Sequence, residues 1–156
     1  MDTNQEKAYF AAGCFWGIEE ALLKTKGVLD TRVGFSGGNA ESPTYEQVCG
    51  GDTGHAETVE VLFDRTTITY EELTRIFFGL HNPTTLNRQG ADSGTQYRSA
   101  VFYLNEEQKR VAEDVKEEFE REGVYKNIVT EIEPLAVFYP AEEYHQRYLQ
   151  KKSNTI

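Results

Sequence analysis

Apolar and polar positions change period several times along the chain, and each change marks an element. The run Lys7-Ala8-Tyr9-Phe10-Ala11-Ala12 predicts a strand near 7–13, and Ile18-Glu19-Glu20-Ala21-Leu22-Leu23 carries helical spacing within about 15–26. A second strand is expected near 28–35, followed by a loop through Gly37, Gly38, Asn39, Ser42 and Pro43. Alternation resumes at Glu57-Thr58-Val59-Glu60-Val61-Leu62-Phe63, which puts Glu57, Val59, Val61 and Phe63 on one face. A carboxyl therefore ends an apolar row. Thr69-Tyr70-Glu71-Glu72 has capping-box spacing and opens a helix to about His81, with Leu73, Ile76, Phe77 and Leu80 expected inside. Ser99 to Leu104 reads as a strand, and Asn105 with Gln108 caps a helix in which Val111, Val115 and Phe119 recur every four residues.

The order β-α-β-β-α-β matches an α+β, ferredoxin-like split βαβ core, with helices on one face of a mostly antiparallel sheet. Elements near 128–138 and 141–150 would extend or flank that core as C-terminal extensions. With 156 residues, 38% of them hydrophobic, the chain fits one domain over 1–156, and no repeat or linker divides it. Sixteen basic against 26 acidic residues give a net charge of −10, which opposes binding to nucleic acid or to anionic membranes. Neither a signal-peptide core nor a membrane-length apolar run is present, so a cytoplasmic protein is expected. The two cysteines, Cys14 and Cys49, form no CxxC pair or disulfide framework, in keeping with a reducing compartment.

Three clusters carry candidate chemistry. In Gly13-Cys14-Phe15-Trp16-Gly17 a cysteine lies between a strand and a helix, where unpaired amides and the helix dipole favour thiolate. A buried inert cysteine is the alternative, and core packing accounts for Phe15 and Trp16 as well as pocket formation does. In Cys49-Gly50-Gly51-Asp52-Thr53-Gly54-His55-Ala56-Glu57 the glutamate is the strongest candidate, since a carboxyl ending a buried row has its pKa raised and can donate a proton near neutrality. The third cluster is the loop from His81-Asn82-Pro83-Thr84 to Tyr97-Arg98, about fifteen residues long, a length that points to function. There Asp92 and Tyr97 can orient a polar substrate, although a turn role accounts equally for Asp92. Tyr45 adds a hydroxyl, or a half-buried packing ring. His55-Ala56-Glu57 has the H-x-E spacing of zinc deaminases but lacks the P-C-x-x-C partner, and spacing gives no reason for Cys14, Cys49, Asp52 and His55 to converge. No metal is expected.

Gly-Cys-Phe-Trp-Gly, Gly-Asp-Thr-Gly-His-Ala-Glu and Gly-Thr-Gln-Tyr-Arg-Ser, in this order, resemble the peptide methionine sulfoxide reductase A family over roughly residues 7–150. Glu143-Tyr144-His145-Gln146-Arg147-Tyr148-Leu149 is similar to the family as well. The resemblance implies reduction of methionine S-sulfoxide, free or in proteins, as a repair of oxidised protein. It implies that Cys14 attacks the sulfoxide sulfur and becomes a sulfenic acid, that Glu57 protonates the departing oxygen with help from the hydroxyls of Tyr45 and Tyr97, that Phe15 and Trp16 hold the S-methyl group, and that Asp92 binds substrate backbone. No bound cofactor is implied. The tail Lys151 to Ile156 lacks the resolving cysteines of many relatives, and Cys49 is not at the usual resolving position. A one-cysteine cycle with an external thiol follows, glutathione with glutaredoxin being favoured over thioredoxin. Asn82 stands where relatives commonly have Asp, and some relatives carry selenocysteine at the position of Cys14. Two other readings compete: a thiol hydrolase or transferase using Cys14 with a base among His55, His81 and His145, and a binding module without turnover.

Overall fold

The computed structural model describes residues 4–51, 53–123 and 125–153. Its elements in chain order are β1 (Gln5–Ala11), α1 (Phe15–Leu23), β2 (Val28–Ser36), α2 (Tyr45–Cys49), β3 (Ala56–Asp64), α3 (Tyr70–Gly79), the short strands β4 (Arg88–Gln89) and β5 (Asp92–Ser93), β6 (Ala100–Tyr103), α4 (Glu106–Arg121), β7 (Glu131–Pro134), β8 (Tyr139–Pro140) and α5 (Tyr148–Ser153). Six strands form one sheet in the order β7-β6-β1-β3-β2-β8. The neighbours β6-β1, β1-β3, β3-β2 and β2-β8 are antiparallel, and β7 lies parallel to β6. The late segments thus add one strand to each edge.

Strand alternation divides the side chains between two faces. Ala8, Phe10, Val33, Phe35, Val59, Val61, Phe63 and Val101 meet Phe15, Ile18 and Leu22 of α1, Leu73, Phe77 and Phe78 of α3, and Ala112 and Val115 of α4 in the main core. Tyr9, Ala11, Ala56, Ala100 and Phe102 face the other way and are covered by Leu135 and Phe138. Glu57 shares the face of Val59, Val61 and Phe63, as the alternation predicts.

Several boundaries move for local reasons. The first strand stops at Ala11 because Gly13 takes φ +71°, where a Cβ would come within 2.8 Å of Gln89 Cβ. Helix α1 ends at Leu23 because Gly27 takes φ +102° and Val28 N–H donates to the Thr25 carbonyl, turning the chain into β2. Leu80, expected inside, caps α3 and is 37% exposed, whereas Phe78 and Thr74 are buried. The short helix α2 was not expected. Its capping box is complete: Gln47 N–H donates to Thr44 Oγ1 and Thr44 N–H to Gln47 Oε1. Among the described residues, no helix is long and apolar enough to cross a membrane.

Candidate active site

The turn at Gly13, whose N–H donates to the Tyr97 carbonyl at 3.2 Å, places Cys14 at the N-cap of α1 and joins it to the third sequence cluster. The amides of Trp16 and Gly17 favour the Cys14 thiolate, but burial outweighs them and the charges of Glu57 and Asp92 oppose it further, so the thiol is pushed up to about 11. The helix-end amides act in the expected direction, and burial exceeds them. Desolvation wins because Cys14 sits in the crease between α1 and the sheet, half-buried.

Glu57 lies beside it. The carboxyl is 1% exposed, its Oε1 accepts the Phe15 N–H at 3.1 Å, and its Oε2 has no partner among the described residues. Burial raises its pKa to about 7, with the Phe15 amide opposing and the charge of Asp92 adding to the rise. A buried carboxyl that is about half protonated at neutral pH is an acid suited to donating a proton there.

Tyr45 opens α2, and its ring lies against Phe15 (centroids 5.9 Å apart) and parallel to Trp16 (6.0 Å, 15°). The helical i, i+4 spacing brings Cys49 to the same side of α2 as Tyr45. Burial raises both tyrosines, Tyr97 to about 12 and Tyr45 beyond it, so both remain neutral donors at physiological pH. Asp92 is exposed on the β4–β5 hairpin, and its charge acts on Cys14, Glu57 and Tyr97. Phe15 is buried and Trp16 is half-buried, packed against the main core. All seven residues singled out from the sequence therefore gather around one site.

Three residues outside the seven candidates also meet the site. Cys49, expected merely to precede the strand of Glu57, closes α2 one turn from Tyr45; the capping box Thr44…Gln47 was the available signal. His145 Nδ1 accepts the Trp16 indole N–H at 3.1 Å, and Tyr148 stacks on Trp16 at 4.0 Å. Both lie in the run 143–149 marked by the resemblance, but periodicity does not announce their place against Trp16.

The histidines are occupied by structure. His55 accepts from the Gly38 N–H at Nδ1 and donates to the Ala40 carbonyl at 2.7 Å. His81 bridges the Phe77 carbonyl and Ser99 Oγ, and burial lowers its pKa to about 4. None of the three is bonded to Cys14, which argues against a cysteine–histidine mechanism. His55 is likewise unavailable to a metal, Asp52 lies outside the described residues, and no group of three or more metal-ligating side chains occurs among the described residues. Asn82 holds the long loop: its Oδ1 accepts from both the N–H and Oγ1 of Thr84, and its backbone pairs with Gln89. A cavity of about 770 Å³ lies to one side, lined by Gly37, His55, Arg98, Phe102, Glu131 and Tyr139 among others; it contains none of Cys14, Tyr45, Glu57 or Tyr97.

The family model described as peptide methionine sulfoxide reductase matches residues 6–156. A peptide methionine sulfoxide reductase MsrA from Methanosarcina acetivorans is 62% identical over 148 residues, covering 94% of this chain and 79% of the relative. Mxr1 from Saccharomyces cerevisiae in its reduced form superposes with a TM-score of 0.91 at 40% identity, over 100% of this chain and 90% of that one. The same yeast protein in complex with Trx2 superposes with a TM-score of 0.67 at 27% identity, over 95% and 87%. A match across nearly the whole length in both sequence and fold shows that the chain belongs to the peptide methionine sulfoxide reductase family, oxidoreductases that return methionine sulfoxide to methionine.

Proposed function

We propose that the chain reduces the S epimer of methionine sulfoxide, free or within proteins, through a sulfenic acid on Cys14. The observation that carries this reading is the buried, readily protonated Glu57 held by the amide of the residue next to Cys14. The substrate S-methyl group lies against Phe15 and Trp16, Asp92 binds the substrate backbone, and the sulfoxide oxygen faces Glu57 with the hydroxyls of Tyr45 and Tyr97. Glu57 gives its proton to the sulfoxide oxygen, which makes the sulfur electrophilic. Cys14 sulfur attacks to form an S–S bond to the substrate sulfur, its own proton passing to the Glu57 carboxylate. The hydroxyl then passes from the substrate sulfur to Cys14 as the S–O and S–S bonds to the substrate sulfur both break, and methionine leaves with the electron pair, two more electrons than it brought. Sulfoxide plus thiol becomes thioether plus sulfenic acid, with Glu57 returned to its acid form.

Two molecules of an external thiol then complete the cycle, the first forming a mixed disulfide on Cys14 with loss of water and the second releasing it. Glutathione with glutaredoxin supplies such a thiol, and a cytoplasmic setting suits both. Cys49 closes the helix whose first residue, Tyr45, lies against the neighbour of Cys14, which supports a second reading of this step alone: the sulfenic acid condenses with Cys49 to a disulfide, which a dithiol protein such as thioredoxin opens. The strand order β6-β1-β3-β2 with α1 and α3 as crossovers supports classing the core as a ferredoxin-like split βαβ unit.

The test is an assay of methionine S-sulfoxide, free and peptide-bound, with dithiothreitol and Cys14→Ala as the control. Turnover by the natural chain and none by the variant is expected; no reduction of either substrate refutes the reading. Mass measurement after one turnover without reductant separates the two reductive steps. A gain of 16 Da on Cys14 favours the external thiol, and a Cys14–Cys49 disulfide favours the internal one.

A further inference from the structure

Residues 142–148 form a strap against Trp16. Trp16 is stacked on Tyr148 (4.0 Å, 15°) and on His145 (5.6 Å, 21°), and its indole N–H donates to His145 Nδ1. Between those two rings the chain turns at Arg147, which takes φ 52°, a region that a residue with a β-carbon seldom adopts without support. The support comes from α1. Glu19 Oε1 accepts the Arg147 N–H at 2.7 Å, and Glu19 Oε2 accepts the Thr31 hydroxyl at 2.7 Å.

Glu19 is 1% exposed, and nothing in the proposed chemistry uses it. A carboxyl buried this deeply is costly unless its hydrogen bonds do something the fold needs. It lies three residues beyond Trp16 on the same helix, so the residue that holds the strap and the residue the strap covers share one rigid element. The rest of the strap is anchored separately. Gln146 accepts from Val33 N–H and donates to the carbonyls of Val33 and Ala141, while the Arg147 guanidinium pairs with Asp30 at the surface. Neither contact fixes the Arg147 backbone amide.

We propose that Glu19 is a positioning residue: by holding the left-handed turn at Arg147 it keeps His145 and Tyr148 in register on Trp16, the wall of the pocket that receives the substrate methyl group. The assignment of that wall rests on the proposed reductase reading. Glu19 acts through the strap and touches no reacting atom. A sulfoxide carries only a methyl group on the side away from its peptide chain, so its orientation depends on how firmly that wall is set.

Trp16 is the one tryptophan of the chain, so intrinsic fluorescence reports on it alone. Glu19→Leu keeps the volume and removes both acceptors; Glu19→Gln keeps an acceptor for Arg147 N–H and can donate to Thr31. With Glu19→Leu, acrylamide quenching of Trp16 is expected to rise at least about twofold and KM for methionine sulfoxide about tenfold, kcat changing by less than about threefold. Glu19→Gln is expected to stay within about twofold of the natural chain in both. A merely structural role would lower the melting temperature and leave quenching and KM unchanged below it; that result overturns the proposal. If Glu19→Leu does not fold, Glu19→Asp, which withdraws the carboxylate by one methylene, carries the same comparison. Hydrogen exchange at the Arg147 amide of the natural chain decides independently: protection supports the anchor, and exchange at the rate of an unstructured peptide amide overturns it. Quenching requires no turnover, so an inactive natural chain would refute the reductase reading while leaving the Glu19 result to stand or fall by itself.

Discussion

Replacing Glu57 by Gln should cost activity and, above neutral pH, raise stability. In the unfolded chain a glutamate titrates at its ordinary value of 4.5, whereas burial raises Glu57 to about 7 in the folded protein. Below pH 4.5 the group is protonated in both states. Between these values the folded protein holds a proton that the unfolded chain has released, so stability falls as pH rises; above 7 the whole penalty is present. At 1.36 kcal/mol per pH unit the penalty is about 3 kcal/mol. Glutamine carries no charge at any of these pH values. Its Oε1 can still accept the Phe15 N–H, but its amide nitrogen would occupy the place of Oε2, which has no partner among the described residues, at a cost of about 1–2 kcal/mol independent of pH.

The stability curves of the two proteins should therefore cross. Glu57→Gln is the less stable below about pH 5 and the more stable above about pH 7.5, the difference changing by about 3 kcal/mol in between. For a chain of this size that corresponds to a swing of roughly 6–12 °C in the difference between melting temperatures. Circular dichroism melts at half-unit steps from pH 4.5 to 8.5 measure it. Parallel curves would refute the argument, since they would mean that Glu57 has the same affinity for protons folded and unfolded. Reductase turnover of the same variant should fall by about 10²–10⁴-fold, the usual contribution of a positioned acid.

Two further outcomes follow from the same geometry. Because the Cys14 thiol is held near 11, its alkylation by iodoacetamide, followed by peptide mass, should quicken about tenfold per pH unit from 7.5 to 10 and be faster in Glu57→Gln; a plateau by pH 8 would mean that the helix end prevails after all. Tyr45→Phe and Tyr97→Phe should each lower kcat about tenfold and together about a hundredfold, with KM little changed, and unaltered turnover in either single variant would remove that hydroxyl from the proposed role.

The sheet was legible because its strands alternate and its longer helices carry caps at their starts. Glu57 is the clearest instance: period two alone put it at the end of a buried row, and there it lies. What periodicity could not supply was the resting state of Cys14. Sequence shows that a cysteine precedes a helix, but the opposing terms are the depth of the crease and the charges of Glu57 and Asp92, which arrive from β3 and from a hairpin nearly eighty residues away. The meeting of His145 and Tyr148 with Trp16 was illegible for a similar reason. His145 closes a 3₁₀ turn and Tyr148 follows a left-handed residue, with no repeat to register, and their meeting with Trp16 depends on Glu19, more than 120 residues earlier.

The raised thiol and the raised carboxyl are parts of one device in the proposed reaction. A thiol at about 11 is thiolate in only about one molecule in 10⁴ at pH 7, a state that costs about 5 kcal/mol to reach. Standing alone, that would make Cys14 a poor nucleophile. Glu57, however, is both the acid that the sulfoxide oxygen needs and one of the charges that hold the thiol up. Once a sulfoxide oxygen takes the Glu57 proton, an adjacent carboxylate stands ready to accept the proton of Cys14, and a thiolate of high intrinsic basicity is the stronger nucleophile once formed. Attack and protonation are then linked through one carboxyl. A site without a sulfoxide keeps its sulfur as a neutral thiol, which is slow toward electrophiles that cannot take a proton from Glu57.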